Sequence, residues 1–188
     1  MEEIKDRFGE KATVAATEIK EMLKIHGEKK IGEITLAQVY QGMRGMTGLV
    51  TETSLLDAQE GIRFRGYSIP ELQEKLPKVL GGDEPLPEGL FYLMMIGELP
   101  TDRDVKKVTS NWQRRSHVPS HVFDVIDAFP INAHPMTMYV AAVMALQTES
   151  KFAQAYAKGM NKKDYWQYTY DDSMDLIARL PRIAAYIY

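Results

Sequence analysis

The segment of this chain that most resembles a ligand-contact loop is Gly42-Met43-Arg44-Gly45-Met46-Thr47-Gly48. Three glycines at intervals of three do not suit a helix interior. Glycines also let backbone N–H groups approach an anion closely. Arg44 would add a fixed positive charge and a planar fork of donors. The plainer reading is a tight turn with a surface arginine, and for a lone loop of this kind it is the commoner one.

Other candidate chemistry is thin. The histidines are His26, His117, His121 and His134. Only His117 and His121 have the i, i+4 spacing of two ligands on one helix face. Pro119 lies between them, and proline starts helices well and interrupts them badly. A helix is therefore expected to begin near Pro119, with His117 outside it and both rings on the surface. No Gly-x-Ser-x-Gly elbow, Walker loop or Gly-x-Gly-x-x-Gly fingerprint is present. Asp171 and Asp172 are expected to coat a helix surface. With no cysteine in the chain, disulfides, thiolate catalysis and cysteine-based metal sites are excluded. No metal and no cofactor are expected.

Composition narrows the class further. The chain has 188 residues, 45% hydrophobic and 26% charged, close to globular averages. A chain this long can bury roughly 70% of its unfolded surface. A net charge of -3 argues against a nucleic-acid partner. No apolar stretch approaches the length of about 18 residues that a membrane span needs. Residues 1–30 hold seven Lys/Arg and seven Asp/Glu, unlike a transit peptide or a secretory signal. A cytosolic protein or a processed chain is expected.

The elements that would position these residues are mainly α. Ile4, Phe8, Ala12, Ala15, Ile19 and Met22 form one helical stripe, with Gly27 as a stop. Thr35 caps a short helix over Leu36–Tyr40. Residues 49–69 read as one small β-hairpin, with Asp57-Ala58-Gln59-Glu60-Gly61 as its turn. Ser68-Ile69-Pro70-Glu71 is a capping box that returns the chain to helices. Further helices start at Pro87, Thr101, Pro119, Pro135 and near Lys162, and Pro181 is expected to kink the last one. No internal repeat or linker divides the chain.

Met136–Leu146 is apolar nearly all round, so it must be covered on every side. It is either a central core helix or a helix at a large subunit interface. The C-terminal pattern Tyr170, Met174, Ile177, Leu180, Ala184, Ile187 keeps helical spacing without a stop signal. An incomplete chain is the favoured expectation, against a terminal helix that docks by its last turn.

Several long segments resemble eukaryotic mitochondrial citrate synthase. They are Gly42–Gly45, Glu60–Glu71, Glu84–Phe91, Leu99–Thr101, Pro119–Val122, His134–Met136, Glu149–Ala157 and Asp175–Pro181. They fall in order, almost without gaps, over essentially all 188 residues. The resemblance implies the following. Residues 1–188 would be the N-terminal part of that family's large domain, less than half of its polypeptide, with the small domain and catalytic segments elsewhere. The family's reaction condenses acetyl-CoA, a substrate, with oxaloacetate to give citrate, in the mitochondrial matrix; a cytosolic location stays open. No catalytic residue falls within this chain, which alone would be inactive. Arg44 matches an arginine that contacts coenzyme A phosphates. Lys162 stands where animal enzymes carry an arginine reaching the coenzyme of the other subunit. Partners would be a second copy in a homodimer, or the missing C-terminal part of the enzyme. The expected dimer interface is Val122, Val125, Ile126, Met136, Val140, Val143 and Met144. The alternative function is a non-catalytic structural or interaction subunit built from such an N-terminal half.

Overall fold

Local start and stop signals set most helix boundaries. The structure is a computed structural model that describes residues 2–46, 48 and 50–188, the side chain of Glu2 excepted. Thr47 of the glycine loop and Leu49 of the expected extended segment lie outside the described residues. The fold is mostly helical with one small antiparallel sheet. Its Cα positions group into two compact units, residues 6–101 and residues 1–5 with 102–188.

In the first of these units, α1 (Glu2–His26) runs up to Gly27, its first turn belonging to the other unit. The stripe seen in the sequence is present, but only its first half finds a partner: Ile19 and Met22 are exposed. Arg7 donates to the Tyr92 hydroxyl and pairs with Glu98, which also takes Lys11. α2 (Leu36–Tyr40) opens with a full capping box between Thr35 and Gln38.

The expected hairpin is there, and it carries one strand more. β1 (Ser54–Asp57) pairs antiparallel with β2 (Gly61–Phe64), and β2 with β3 (Tyr67–Ser68). Asp57 Oδ1 accepts the backbone N–H groups of Gln59 (2.8 Å) and Glu60 (2.9 Å), which builds the first turn. Those two bonds, the one from Glu60 first, hold the Asp57 carboxyl below its ordinary value. The second turn puts Arg65 at φ 48 and Gly66 at φ 87, the left-handed pair that two-residue hairpins need. Arg65 Nε and Nη2 donate to the Met94 carbonyl oxygen at 3.1 and 2.8 Å.

Ser68 then serves both as the end of β3 and as the N-cap of α3 (Ile69–Lys75), through its capping box with Glu71. α4 (Pro87–Ile96) stops at Gly97, whose φ of 80 is the left-handed cap that glycine provides. The core of this unit joins Leu72, Leu76 and Leu93 to Phe64, Tyr67 and Leu90.

The other unit is a helical layer. It contains α5 (Asp102–Arg115), α6 (Ser120–Asp127), α7 (Pro135–Ala145), α8 (Lys151–Ala157) and α9 (Tyr165–Ile187). Single 3-10 turns lie at Leu146–Glu149 and Lys162–Asp164. α6 packs on α7, and α9 packs on α5, α7 and α8. Val118, Val122, Ile126, Ala142, Leu146 and Ile183 make one core cluster, and Val105, Val108, Tyr170 and Met174 are buried as well. Pro181 lies inside α9, which continues past it to Ile187.

Candidate functional site

The glycine loop follows directly from the end of α2. Gln41 is the C-cap, and the Met43 N–H bonds back to the Gln38 carbonyl at 2.8 Å. Gly42, Met43 and Gly45 have φ of 70, 60 and 73. The backbone doubles back here, and a Cβ on Gly42 or Gly45 would meet nothing. The two glycines therefore serve conformation rather than space. Arg44 is exposed at the head of this turn, with no hydrogen bond or ion pair to any described residue. An exposed arginine on a tight, pre-shaped turn can present its fork to a phosphate or a carboxylate.

Lys162 lies in the other unit, exposed at the start of the 3-10 turn Lys162–Asp164. Asn161 caps that turn by accepting the Lys163 N–H at 3.1 Å. The preceding Gly159, at φ 80, ends α8. A cleft of about 330 Å3 at this corner is lined by Lys158, Met160, Asn161, Asp164, Gln167 and Tyr168, among others.

α7 presents two apolar faces. One packs into the core through Met138, Tyr139, Ala142 and Ala145. The other leaves Met136, Val140 and Met144 exposed at 58%, 57% and 70%, one row at i, i+4 and i+8. Val143 of the same helix and Val125 of α6 are half-buried. Val122 and Ile126 sit elsewhere: at 0% and 5% exposure they are buried in this chain's own core.

The acidic residues of α9 do not coat a surface, contrary to expectation. Asp171 pairs with Lys5 (2.6 Å) and Arg115 (3.0 Å), and Asp175 pairs with Arg115 and Lys151. Asp172 caps α8. The reason is packing: α9 lays this face against α5 and α8, and partners up to 166 positions away in sequence meet there. Burial works against the Arg115 charge, but the hydrogen bonds and charges of Asp175 and Asp171 outweigh it and push Arg115 above its ordinary value. Burial likewise raises the Asp171 carboxyl, and Lys5 and Arg115 overcome that to hold it low. Tyr170, pushed up to about 12 chiefly by burial, stays neutral beside them. Sequence periodicity carried no signal of this network.

His121 also departs from expectation. It is half-buried, and its Nε2 lies 3.1 Å from the Ala145 carbonyl oxygen, so it ties α6 to the end of α7. His117 is exposed and outside α6. Among the described residues no cluster of histidine, aspartate and glutamate could hold a metal ion. No helix among them is long and apolar enough to cross a membrane.

Residues 42–188 match the family model described as citrate synthase, C-terminal domain. Mitochondrial citrate synthase of Aspergillus niger is 55% identical over 185 residues, 98% of this chain and 39% of that protein. The Saccharomyces cerevisiae enzyme is 52% identical over the same share. The mitochondrial 2-methylcitrate synthase of Yarrowia lipolytica is 54% identical, over 98% of this chain and 40% of that protein. Among solved structures, citrate synthase from Pyrobaculum aerophilum superposes with a TM-score of 0.63 at 26% identity, over 85% of this chain and 39% of that one. The chain thus spans about two fifths of the length of the relatives it matches.

Proposed function

Because the chain belongs to the citrate synthase family, we propose that it forms the N-terminal part of the large domain of an enzyme that condenses acetyl-CoA with oxaloacetate. The observation that carries this reading is identity above one half with mitochondrial citrate synthases along 98% of the chain. The order of the shared motifs favours the N-terminal placement, with residues 1–41 ahead of the matched family model.

In this reaction an aspartate removes a methyl proton from acetyl-CoA. One histidine stabilises the enolate that forms, and another polarises the oxaloacetate carbonyl. The enolate carbon attacks that carbonyl carbon, and water then cleaves the citryl thioester to give citrate and the free coenzyme thiol. The aspartate and both histidines belong to segments outside residues 1–188, so the chain alone is inactive. No metal or resident cofactor takes part, and acetyl-CoA is a substrate.

Residues 1–188 contribute to coenzyme binding and to assembly. Arg44 reaches the coenzyme phosphates, and its exposure on a turn fixed by Gly42, Met43 and Gly45 supports that role. Lys162 reaches the coenzyme on the other subunit. A lysine there keeps the charge of the animal enzymes' arginine and loses its bidentate fork, so its contribution is the smaller. The enzyme is a homodimer, placed in the mitochondrial matrix; the relatives' names favour the mitochondrion. The exposed row Met136, Val140 and Met144 carries the dimer surface on this chain, to which the half-buried Val143 and Val125 also contribute. Val122 and Ile126 support it from the core beneath.

The similarity to a 2-methylcitrate synthase favours a second reading for the acyl group, one carbon longer than acetyl. Product analysis separates the two. A full-length polypeptide carrying this chain is given oxaloacetate with either acetyl-CoA or propionyl-CoA, and the acids are resolved by mass spectrometry. Citrate as the main product is expected. Mainly 2-methylcitrate would move the assignment to the second reading, and neither product would favour the non-catalytic subunit.

A further inference from the structure

A cleft of about 410 Å3 opens on the unit made by residues 1–5 and 102–188. Four permanent cations line it, Arg114, Arg115, Lys151 and Arg179, together with His117. Against them stand only two carboxylates, Glu149 and Asp175. Asp175 is already taken, by Arg115 Nη1 and by Lys151 Nζ at 2.8 Å. Arg115 also holds Asp171 at 3.0 Å.

Two cations are left over. The side chains of Arg114 and Arg179 make no hydrogen bond or ion pair with any described residue. The Arg179 Nε–H is shut off from solvent and has no acceptor. Glu149 is the one carboxylate of the lining not already engaged, one charge against two guanidinium groups. A shielded cationic donor without an acceptor is unfavourable, and the usual remedy is a bound or paired anion. Arg114 also lines the neighbouring cleft with Arg103, Lys106 and Lys107; Lys107 is paired with Glu3, and positive charge continues along α5 at Arg103 and Lys106. Such a concentration of one sign raises the local concentration of anions.

We propose that this cleft is a binding site for a small multivalent oxyanion, gripped by the guanidinium groups of Arg114 and Arg179. Guanidinium forks match the oxygen spacing of phosphates and carboxylates alike. The cleft has the size of a small-ligand pocket, which start at roughly 300 Å3. The site stands on this unit's own side chains and does not depend on the reaction proposed above.

The test is calorimetric titration of a full-length polypeptide carrying this chain, with inorganic phosphate in one arm and tricarballylate in the other. Saturating oxaloacetate and coenzyme A are present throughout, so that substrate sites are filled. Saturable binding of at least one anion is expected. Arg179→Gln and, separately, the exposed Arg114→Gln should each weaken it by about tenfold, while Lys29→Gln leaves it unchanged. Binding in the phosphate arm alone assigns a phosphate-bearing ligand, and binding in the other arm alone assigns a polycarboxylate. No saturable binding in either arm, or binding that neither arginine variant weakens, overturns the proposal.

Discussion

Asp172 accepts the hydroxyl of Ser150 at 2.6 Å, across 22 positions of sequence. The same carboxylate accepts the backbone N–H groups of Lys151 at 2.9 Å and Phe152 at 3.0 Å, while Ser150 Oγ accepts that of Ala153 at 3.0 Å. Together they satisfy the first turn of α8 from outside the helix. α8 is also the element that delivers the chain to Gly159 and the turn bearing Lys162.

Removing this cap should loosen α8. Asp172→Ala is expected to cost about 1–3 kcal/mol, the range for losing a cap and orphaning the groups it served. Asp172→Asn keeps one acceptor oxygen and should cost less. Urea unfolding reads both, and an unchanged midpoint for Asp172→Ala would show that water replaces the carboxylate without loss.

The ion network around Arg115 should give stability an acid limb. The folded Asp171 carboxyl is held below its ordinary 3.8 by Lys5 and Arg115 against the opposing effect of burial. A depressed carboxylate stabilises the fold above the unfolded value and loses that contribution as pH falls below it. Stability at about pH 7 should therefore exceed stability at about pH 3, and Lys5→Gln should narrow the gap. A gap of the same size in Lys5→Gln would mean that Asp171 does not contribute to it.

The exposed row on α7 should govern self-association. Obligate interfaces are large and apolar, and a lone charge buried in one is strongly unfavourable. Val140→Asp and Met144→Asp in the full-length protein are expected to give monomer or aggregate, with activity falling in step with dimer content. Light scattering decides it; two soluble dimeric mutants would put the interface elsewhere.

Arg44→Ala should act on the coenzyme side. A charge-assisted phosphate contact is worth about 1.5–3 kcal/mol, or roughly tenfold and more in affinity. The Michaelis constant for acetyl-CoA should rise by that factor, and that for oxaloacetate by less. An unchanged acetyl-CoA constant would return Arg44 to the role of a turn residue on the surface.

Local signals made much of this fold readable. The Ser68–Glu71 box, Gly97, and the prolines at 87 and 135 each mark a boundary where the structure has one. β3 escaped because it is two residues long and overlaps the cap of α3, leaving no alternation to see. The partners of Asp171, Asp172 and His121 lie 20 or more positions away, beyond the reach of any periodicity. An apolar stripe reveals a face and not what covers it. That is why Ile19 and Met22 are exposed, while Val122 and Ile126, expected at an interface, fill the chain's own core.

The most direct test of the functional account is release of the coenzyme A thiol from acetyl-CoA and oxaloacetate, measured in parallel for residues 1–188 alone and for a full-length polypeptide that carries them. The account predicts steady turnover by the full-length protein and no release above the uncatalysed rate by residues 1–188. Turnover by the 188-residue chain, or a full-length protein that releases no thiol, would contradict it.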